Sequence, residues 1–246
     1  MKLVRFAVGG EILSGHVIDD VIRADDGSKR EFSLQKARLL APCAPSKIVA
    51  VGLNYRDHAE EMGLAIPDEP ILFLKPSTSV IGAGDTIVLP PQSARVDYEA
   101  ELAIVISKTA RNVSRTEAPD YILGYTCLND VTARDLQSKD GQWTRAKSFD
   151  TFCPIGPWIE TELDGSDLKI ELYLNGVIKQ KSRTSNQIFS PVELVEFISA
   201  IMTLSPGDVI ATGTTSGVGP MGPGDTVEVR IESIGSLINQ AAKAIP

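Results

Sequence analysis

The sequence predicts a β-rich α+β fold built on mixed sheets, and three observations carry that prediction. Short runs of β-branched and aromatic residues recur along the chain, Gly/Pro turns separate them at close intervals, and only a few short stretches keep helical spacing. A doubly wound parallel fold would instead alternate such runs with long amphipathic helices.

Residues 1–45 read as a small N-terminal β arm, with strands over Lys2–Val8, Ile12–Ile18 and Val21–Arg23. So short an arm lies near the lower size limit for folding alone and is expected to pack on the remainder, residues 46–246. His16 falls within one of these strands and reads as structural. Ala41–Ser46, with two prolines, forms the linker. Lys47–Val51 is a short apolar strand closed by Gly52. Asn54–Gly63 reads as a polar helix stopped by its glycine, with His58 and Glu61 three residues apart on one face. Pro67–Pro70 is a loop, and Ile71–Leu74 a strand running into Lys75-Pro76-Ser77.

Gly84-Asp85, Pro206-Gly207-Asp208 and Pro223-Gly224-Asp225 each read as a tight turn feeding a strand. Leu168–Leu174 and Val177–Arg183, joined by Asn175-Gly176, give the strongest hairpin signal in the chain. One helix is well marked. Ser190 as N-cap, Pro191 at the first helical position and Glu193 completing a capping box start it. Val192, Val195, Ile198, Ser199 and Met202 are its expected inward stripe.

With 246 residues, 43% hydrophobic and 23% charged, the chain has the composition of an ordinary globular protein. No apolar run is long enough to span a bilayer, and the opening residues are too short and interrupted for a signal peptide, so a cytoplasmic protein is expected. The net charge of −8 argues against nucleic acid or anionic membrane as a partner, since both need clustered Lys and Arg. A small anionic substrate stays compatible if a metal and a few basic residues supply local positive charge. Cys43, Cys127 and Cys153 are odd in number and lack CxxC spacing, which suggests neither a disulfide framework nor a zinc site.

The chemistry centres on Val96–Ile106. Strand alternation from Tyr98 onward puts Asp97, Glu99 and Glu101 on one face, followed by Ala103 and Val105, with Tyr98, Leu102, Ile104 and Ile106 on the other. Both faces turn apolar beyond Glu101, so the strand is expected to be covered on both sides. Crowded carboxylates there either form a hydrated rim or hold a hard, oxygen-preferring dication such as Mg²⁺, Mn²⁺ or Ca²⁺. Asp130 sits where the next strand, Tyr121–Leu128, gives way to a short helix; it reads as a third carboxylate or as a helix N-cap. On that helix, Arg134 and Gln137 share a wall with Asp130. Lys147, among small and aromatic residues, reads as a substrate-holding ammonium or as a surface lysine. Thr212–Gly222 contains a formal GxGxxG, but Pro220 and the following turn deny it the helix a dinucleotide site needs. It reads as a loop offering backbone N–H groups and threonine hydroxyls to a ligand.

Several motifs together resemble the fumarylacetoacetate hydrolase family. They are Val51-Gly52-Leu53-Asn54-Tyr55 with His58 and Glu61, Phe73-Leu74-Lys75-Pro76, Asp97-Tyr98-Glu99-Ala100-Glu101-Leu102, Asn129-Asp130-Val131-Thr132-Ala133-Arg134-Asp135, and Thr212-Gly213-Thr214 through Gly217-Val218-Gly219-Pro220. The resemblance runs from about Lys47 to the C-terminus and leaves the N-terminal arm largely outside it. It is similar to the short branch that contains acylpyruvate hydrolases, oxaloacetate decarboxylases and the isomerase/decarboxylases of aromatic catabolism. That implies a mixed β-sandwich roll, an Mg²⁺ or Mn²⁺ ion, and usually a homodimer. It further implies Glu99, Glu101 and Asp130 as metal ligands, His58 and Glu61 as a water-activating dyad on a lid helix, and Lys147, Arg134, Gln137 and Thr214 as the groups holding substrate carboxylate and oxo oxygens. Asp97 matches no direct ligand and is expected behind them.

The function so implied is C–C bond hydrolysis of a 2,4-dioxo acid, of acylpyruvate or fumarylpyruvate type, through a metal-chelated enolate. Without attack by water, the same site would support decarboxylation or isomerisation of a 2-oxo acid, as in an oxaloacetate decarboxylase or a 2-hydroxyhepta-2,4-diene-1,7-dioate isomerase. A non-catalytic, metal-stabilised binding protein on the same roll is the third possibility.

Overall fold

The computed structural model describes residues 1–244. The N-terminal arm is a meander of β1 (Lys2–Val8), β2 (Glu11–Ile18), β3 (Val21–Ala24) and β4 (Glu31–Ser33), with β5 (Arg38–Leu40) folded back on β1. Val4, Phe6 and Ile22 are its buried centre, with Phe32 packed against Phe6. The sequence reading missed β4 and β5, each three residues long and too short to show an alternating pattern.

The main body opens with β6 (Lys47–Gly52), helix α1 (Arg56–Met62) and β7 (Ile71–Pro76). Gly63 ends α1 in the left-handed conformation, as its composition predicts. Next come β8 (Val80–Ile81), β9 (Thr86–Leu89), β10 (Val96–Tyr98), β11 (Ala100–Ile106), β12 (Ile122–Asn129) and β13 (Thr132–Ala133). Helices α2 (Arg134–Asp140) and α3 (Thr144–Lys147) precede β14 (Cys153–Glu160). The predicted hairpin forms as β15 (Lys169–Leu174) and β16 (Val177–Arg183), with both turn residues, Asn175 and Gly176, at positive φ. Helix α4 (Pro191–Ile201) carries its capping box; β17 (Val209–Thr214), β18 (Gly219–Met221), β19 (Thr226–Ile231) and β20 (Gly235–Lys243) complete the chain. On α4 the buried residues are Pro191, Leu194, Val195, Ile198 and Ser199, so Leu194 takes a place that the sequence reading gave to Val192 and Met202, which are only partly covered.

The largest sheet runs β4-β3-β2-β1-β14-β12-β11-β17-β6-β7, mostly antiparallel but with β17 and β6 parallel. A five-stranded sheet, β16-β15-β19-β20-β9, packs over its middle. Leu102, Ile104 and Ile106 of β11 share one apolar cluster with Ile170, Leu172, Val227 and Val229 of that sheet. Ala103 and Val105 join a second cluster on the opposite face, with Ile48, Ala50 and Val209. The central strand is therefore covered on both sides, as expected.

The third sheet, β13-β10-β18, positions the site. Its three strands continue β12, β11 and β17, and they lie in the same side-by-side order as those strands do in the large sheet. The chain thus crosses from one sheet to the other three times, at Glu99, at Asp130-Val131 and at Thr215–Val218. This corrects the expectation of one unbroken strand from Tyr98 to Ile106. Glu99 lies outside both ladders because its N–H donates to Asn129 Oδ1 at 2.9 Å and its carbonyl accepts from the Asp130 N–H at 2.9 Å. Asp130 is likewise not on a helix with Arg134. It occupies the turn into β13, and α2 begins only at Arg134.

Asp208 fastens the linker to the main body. Its carboxylate accepts from the Ser46 N–H at 2.9 Å, the Lys47 ammonium at 2.5 Å and the Ser205 N–H at 2.8 Å. The three cysteines are free and buried. Among the described residues no helix is long and apolar enough to cross a membrane.

Candidate functional site

The sheet crossings bring Glu99, Glu101 and Asp130 together. Carboxylate oxygens from all three lie within 4.8 Å of one another, and all three residues are buried. They line a cavity of about 300 Å³ together with His58, Arg134, Gln137, Lys147 and Thr214, so every sequence-predicted site residue except Glu61 lies on its wall. Glu61 stands directly behind His58, its Oε2 3.2 Å from His58 Nδ1.

Burial would disfavour three ionised carboxylates, so the charges around them decide the outcome. The Lys147 ammonium donates to Glu99 Oε2 at 2.9 Å and to Asp130 Oδ2 at 2.6 Å. Its burial rules out the surface-lysine alternative. Arg134 donates to Glu99 and, through Nε, to Asp97 Oδ2 at 2.9 Å. Asp97 also accepts from Arg95 at 2.9 Å. It therefore stands behind Arg134 and holds it, away from the carboxylate cluster. Although burial pushes Glu99 upward, Lys147 and Arg134 more than offset it and hold the carboxyl at about 2. Glu101 goes the other way. Burial first, then Asp130 and Glu99, raise it well above the usual carboxylate range, against a smaller lowering by Lys147, and among the described residues no cation is bonded to it. Its carboxylate accepts one hydrogen bond, from the Gly213 N–H at 2.8 Å.

Sequence reasoning missed Lys75. This ammonium is fully buried, donates to Asp130 and also to the Val131 carbonyl at 3.2 Å. Its signal was the two-residue spacing from Phe73, which puts both side chains on one face of β7. Gln180 was missed as well; its amide accepts from the Ala100 N–H at 2.9 Å and donates to Thr214 Oγ1 at 2.9 Å. Thr214 donates its own hydroxyl to the Ala100 carbonyl at 3.0 Å, so that proton is already committed. Gln137 Oε1 accepts from Arg134 at 2.5 Å, which leaves its NH₂ without a partner among the described residues. In the loop after β17 the Gly217 N–H donates to both Glu61 oxygens, at 3.0 and 3.2 Å, so this donor serves the protein's own side chain where the sequence reading had a ligand.

The donor set fits a hard dication. All three donors are oxygens, and an unpaired, hard-to-ionise Glu101 beside two ionised carboxylates is the imbalance that a dication removes. Lys147, Lys75 and Arg134 are bonded to Glu99, Asp130 and Asp97, so Glu101 is the carboxylate of the cluster whose charge an added dication would offset.

The family model described as fumarylacetoacetate hydrolase C-terminal matches residues 47–242. The chain belongs to the fumarylacetoacetate hydrolase family. The structure superimposes on a 5-carboxymethyl-2-hydroxymuconate delta-isomerase from Mycobacterium smegmatis with a TM-score of 0.94, 47% identity and all of both chains covered. Mitochondrial oxaloacetate tautomerase from Rattus norvegicus is 42% identical over 213 residues, 82% of this chain and 68% of that protein. A maleylpyruvate hydrolase from Sphingobium sp. SYK-6, solved with manganese(II) and pyruvate, aligns over all of both chains with a TM-score of 0.84 and 31% identity. Named relatives thus include an isomerase, a tautomerase and a hydrolase, and the structures of the isomerase and the hydrolase share the strand-rich fold.

Proposed function

We propose that this chain is a divalent-metal-dependent hydrolase that cleaves a C–C bond in 2,4-dioxo acids through an enolate. The observation that carries this reading is the placement on one cavity of a three-carboxylate cluster and of His58, which Glu61 backs from outside the wall. Glu99, Glu101 and Asp130 would hold Mg²⁺ or Mn²⁺, and the manganese and pyruvate bound by the maleylpyruvate hydrolase support that assignment. When bound, such an ion supplies Lewis-acid stabilisation to the carboxylate and 2-oxo oxygens of the substrate, typically worth several kcal/mol.

The chain's own groups do the rest. Arg134 and Lys147 attract and orient the substrate carboxylate, with the Gln137 NH₂ free to donate to an oxo group. Gly217 fixes Glu61, and Glu61 fixes His58 through Nδ1, leaving Nε2 to take a proton from water. The water oxygen bonds to the distal carbonyl carbon and the C–C bond breaks. Its electron pair stays on the pyruvate part as an enolate, and the proton on His58 Nε2 returns to that carbon. The products are a carboxylic acid and pyruvate.

A second reading is supported by the tautomerase and isomerase relatives: with no water attacking, His58 would move a proton between carbon and oxygen of a 2-oxo acid. The two are separated by following the enol absorbance of acetylpyruvate and of oxaloacetate with Mg²⁺ and again with EDTA, while assaying pyruvate release. Hydrolysis requires metal-dependent pyruvate formation from acetylpyruvate, lost in His58→Ala with Mg²⁺ affinity retained. Enol decay without pyruvate release, or full cleavage by His58→Ala, rejects the water-activation role.

A further inference from the structure

The cavity is polarised, and one wall has no role in the chemistry above. Lys147 Nζ lies 5.0 Å from the centroid of the Phe73 ring, and Phe73 meets Trp143 edge-on at 5.1 Å. Trp143 in turn packs against Gly52. A Cβ built on Gly52 would sit 2.8 and 2.9 Å from two atoms of the indole, so the ring keeps its seat only because that position is glycine. Met62 and Leu64 line the same cavity while remaining 58% and 53% exposed. A path of apolar surface therefore leads away from the carboxylate cluster towards the cavity mouth.

Charge along this path is one-sided. Among the described residues Arg134 and Lys147 are the only Lys or Arg on the cavity wall, and both are engaged at the carboxylate cluster. The segment that supplies His58, Met62 and Leu64 to the wall, residues 56–69, carries Asp57, Glu60, Glu61, Asp68 and Glu69 against Arg56 alone. His58 is tied to Glu61. A carboxylate at the far end of a substrate would meet apolar surface on a segment of net negative charge, with no Lys or Arg among the described residues of that wall to pair it. A hydrocarbon tail would cover Trp143, Met62 and Leu64 and remove them from water.

We propose that the Trp143 wall selects substrates with an uncharged, apolar acyl group and discriminates against dicarboxylates. This rests on reading the site as a 2-oxo acid site and names the tail that it takes. Trp143 and Leu64 are the specificity-determining residues, and Gly52 is a positioning residue that acts through Trp143.

The test is a matched pair, 2-oxohexanoate and 2-oxoadipate, which differ only in a terminal methyl or carboxylate. Each is titrated calorimetrically into the Mg²⁺-loaded protein, with pyruvate as the tail-free reference. Binding of 2-oxohexanoate should be tighter than that of 2-oxoadipate by about tenfold or more. Leu64→Arg, an exposed change that leaves the core untouched, should narrow or invert that ratio. Trp143→Ala and Gly52→Ala should weaken 2-oxohexanoate more than pyruvate, by about tenfold. Equal or tighter binding of 2-oxoadipate overturns the tail assignment and leaves the 2-oxo acid site standing, as does a ratio unmoved by Leu64→Arg. If none of the three acids binds, the reading of the site itself has failed, and the tail assignment falls with it.

Discussion

The backbone N–H of Gly213 donates to Glu101 Oε2 at 2.8 Å and is the only hydrogen bond the Glu101 carboxylate receives among the described residues. Gly213 has φ +95°, and a Cβ there would lie 2.7 Å from the Asn54 Cβ. Gly213→Ala should therefore strain the backbone by about 1–2 kcal/mol and swing the donor away. Mg²⁺ binding should weaken about 10- to 100-fold, the usual effect of losing a group that orients a ligand. Calorimetric titration of the variant checks this; native affinity would show that Glu101 needs no such support.

Glu101 also sets a pH dependence. Its raised pKa means that the metal-free protein carries a proton there at a pH where the unfolded chain does not. Metal-free stability should then fall as pH rises above about 4.3, the unfolded-chain value for glutamate, towards the native pKa. Metal binding must expel that proton, so apparent affinity should climb with pH by up to about tenfold per unit below the native pKa. Titrations at several pH values, in buffers of differing ionisation heat, should report proton release; a pH-independent affinity with none would contradict the assignment.

Lys75 is a buried cation whose removal leaves Asp130 under-compensated. Lys75→Met should lower stability by about 3 kcal/mol. A bound dication supplies the missing positive charge, so saturating Mg²⁺ should raise the melting temperature of the variant more than that of the native protein. Equal increments would place Lys75 outside the electrostatics of the cluster.

Asp208 predicts an acid-sensitive clasp. Burial opposes its ionisation, but hydrogen bonds from Lys47, Ser46 and Ser205 outweigh that and lower its pKa. The stability it contributes is thus complete above about 3.9, the unfolded value for aspartate, and is lost as pH falls below it. Asp208→Asn should cost about 2 kcal/mol at neutral pH and flatten the acid limb of a stability–pH curve. A parallel acid limb in variant and native protein would remove this role.

Much of the architecture was legible because the local signals were strong and agreed. Asn175-Gly176 between two alternating runs and the Ser190-Pro191-Glu193 start were each read at the right place. Alternation also put Glu99 and Glu101 together, although for an incomplete reason. The sequence does not show that Glu99 leaves the ladder, since the bonds that draw it out come from Asn129 and Asp130, thirty residues away. The same non-local turn defeated the helical placement of Asp130 beside Arg134. Lys75 was hidden by its surroundings, because an ammonium inside an apolar strand looks incidental until the carboxylate it meets is located. Trp143 was likewise visible only as a residue, because its role depends on the bare backbone of Gly52, 91 positions earlier.

The three crossings between the large and the small sheet have a mechanical corollary. Glu101 belongs to the large sheet, whereas Glu99 and Asp130 are the joints from which the small sheet hangs. Any ion gripped by all three acts as a rivet through that joint. Loading the protein should then quiet backbone amide exchange along Val96–Tyr98, Thr132–Ala133 and Gly219–Met221 together, well beyond the residues that touch the ion.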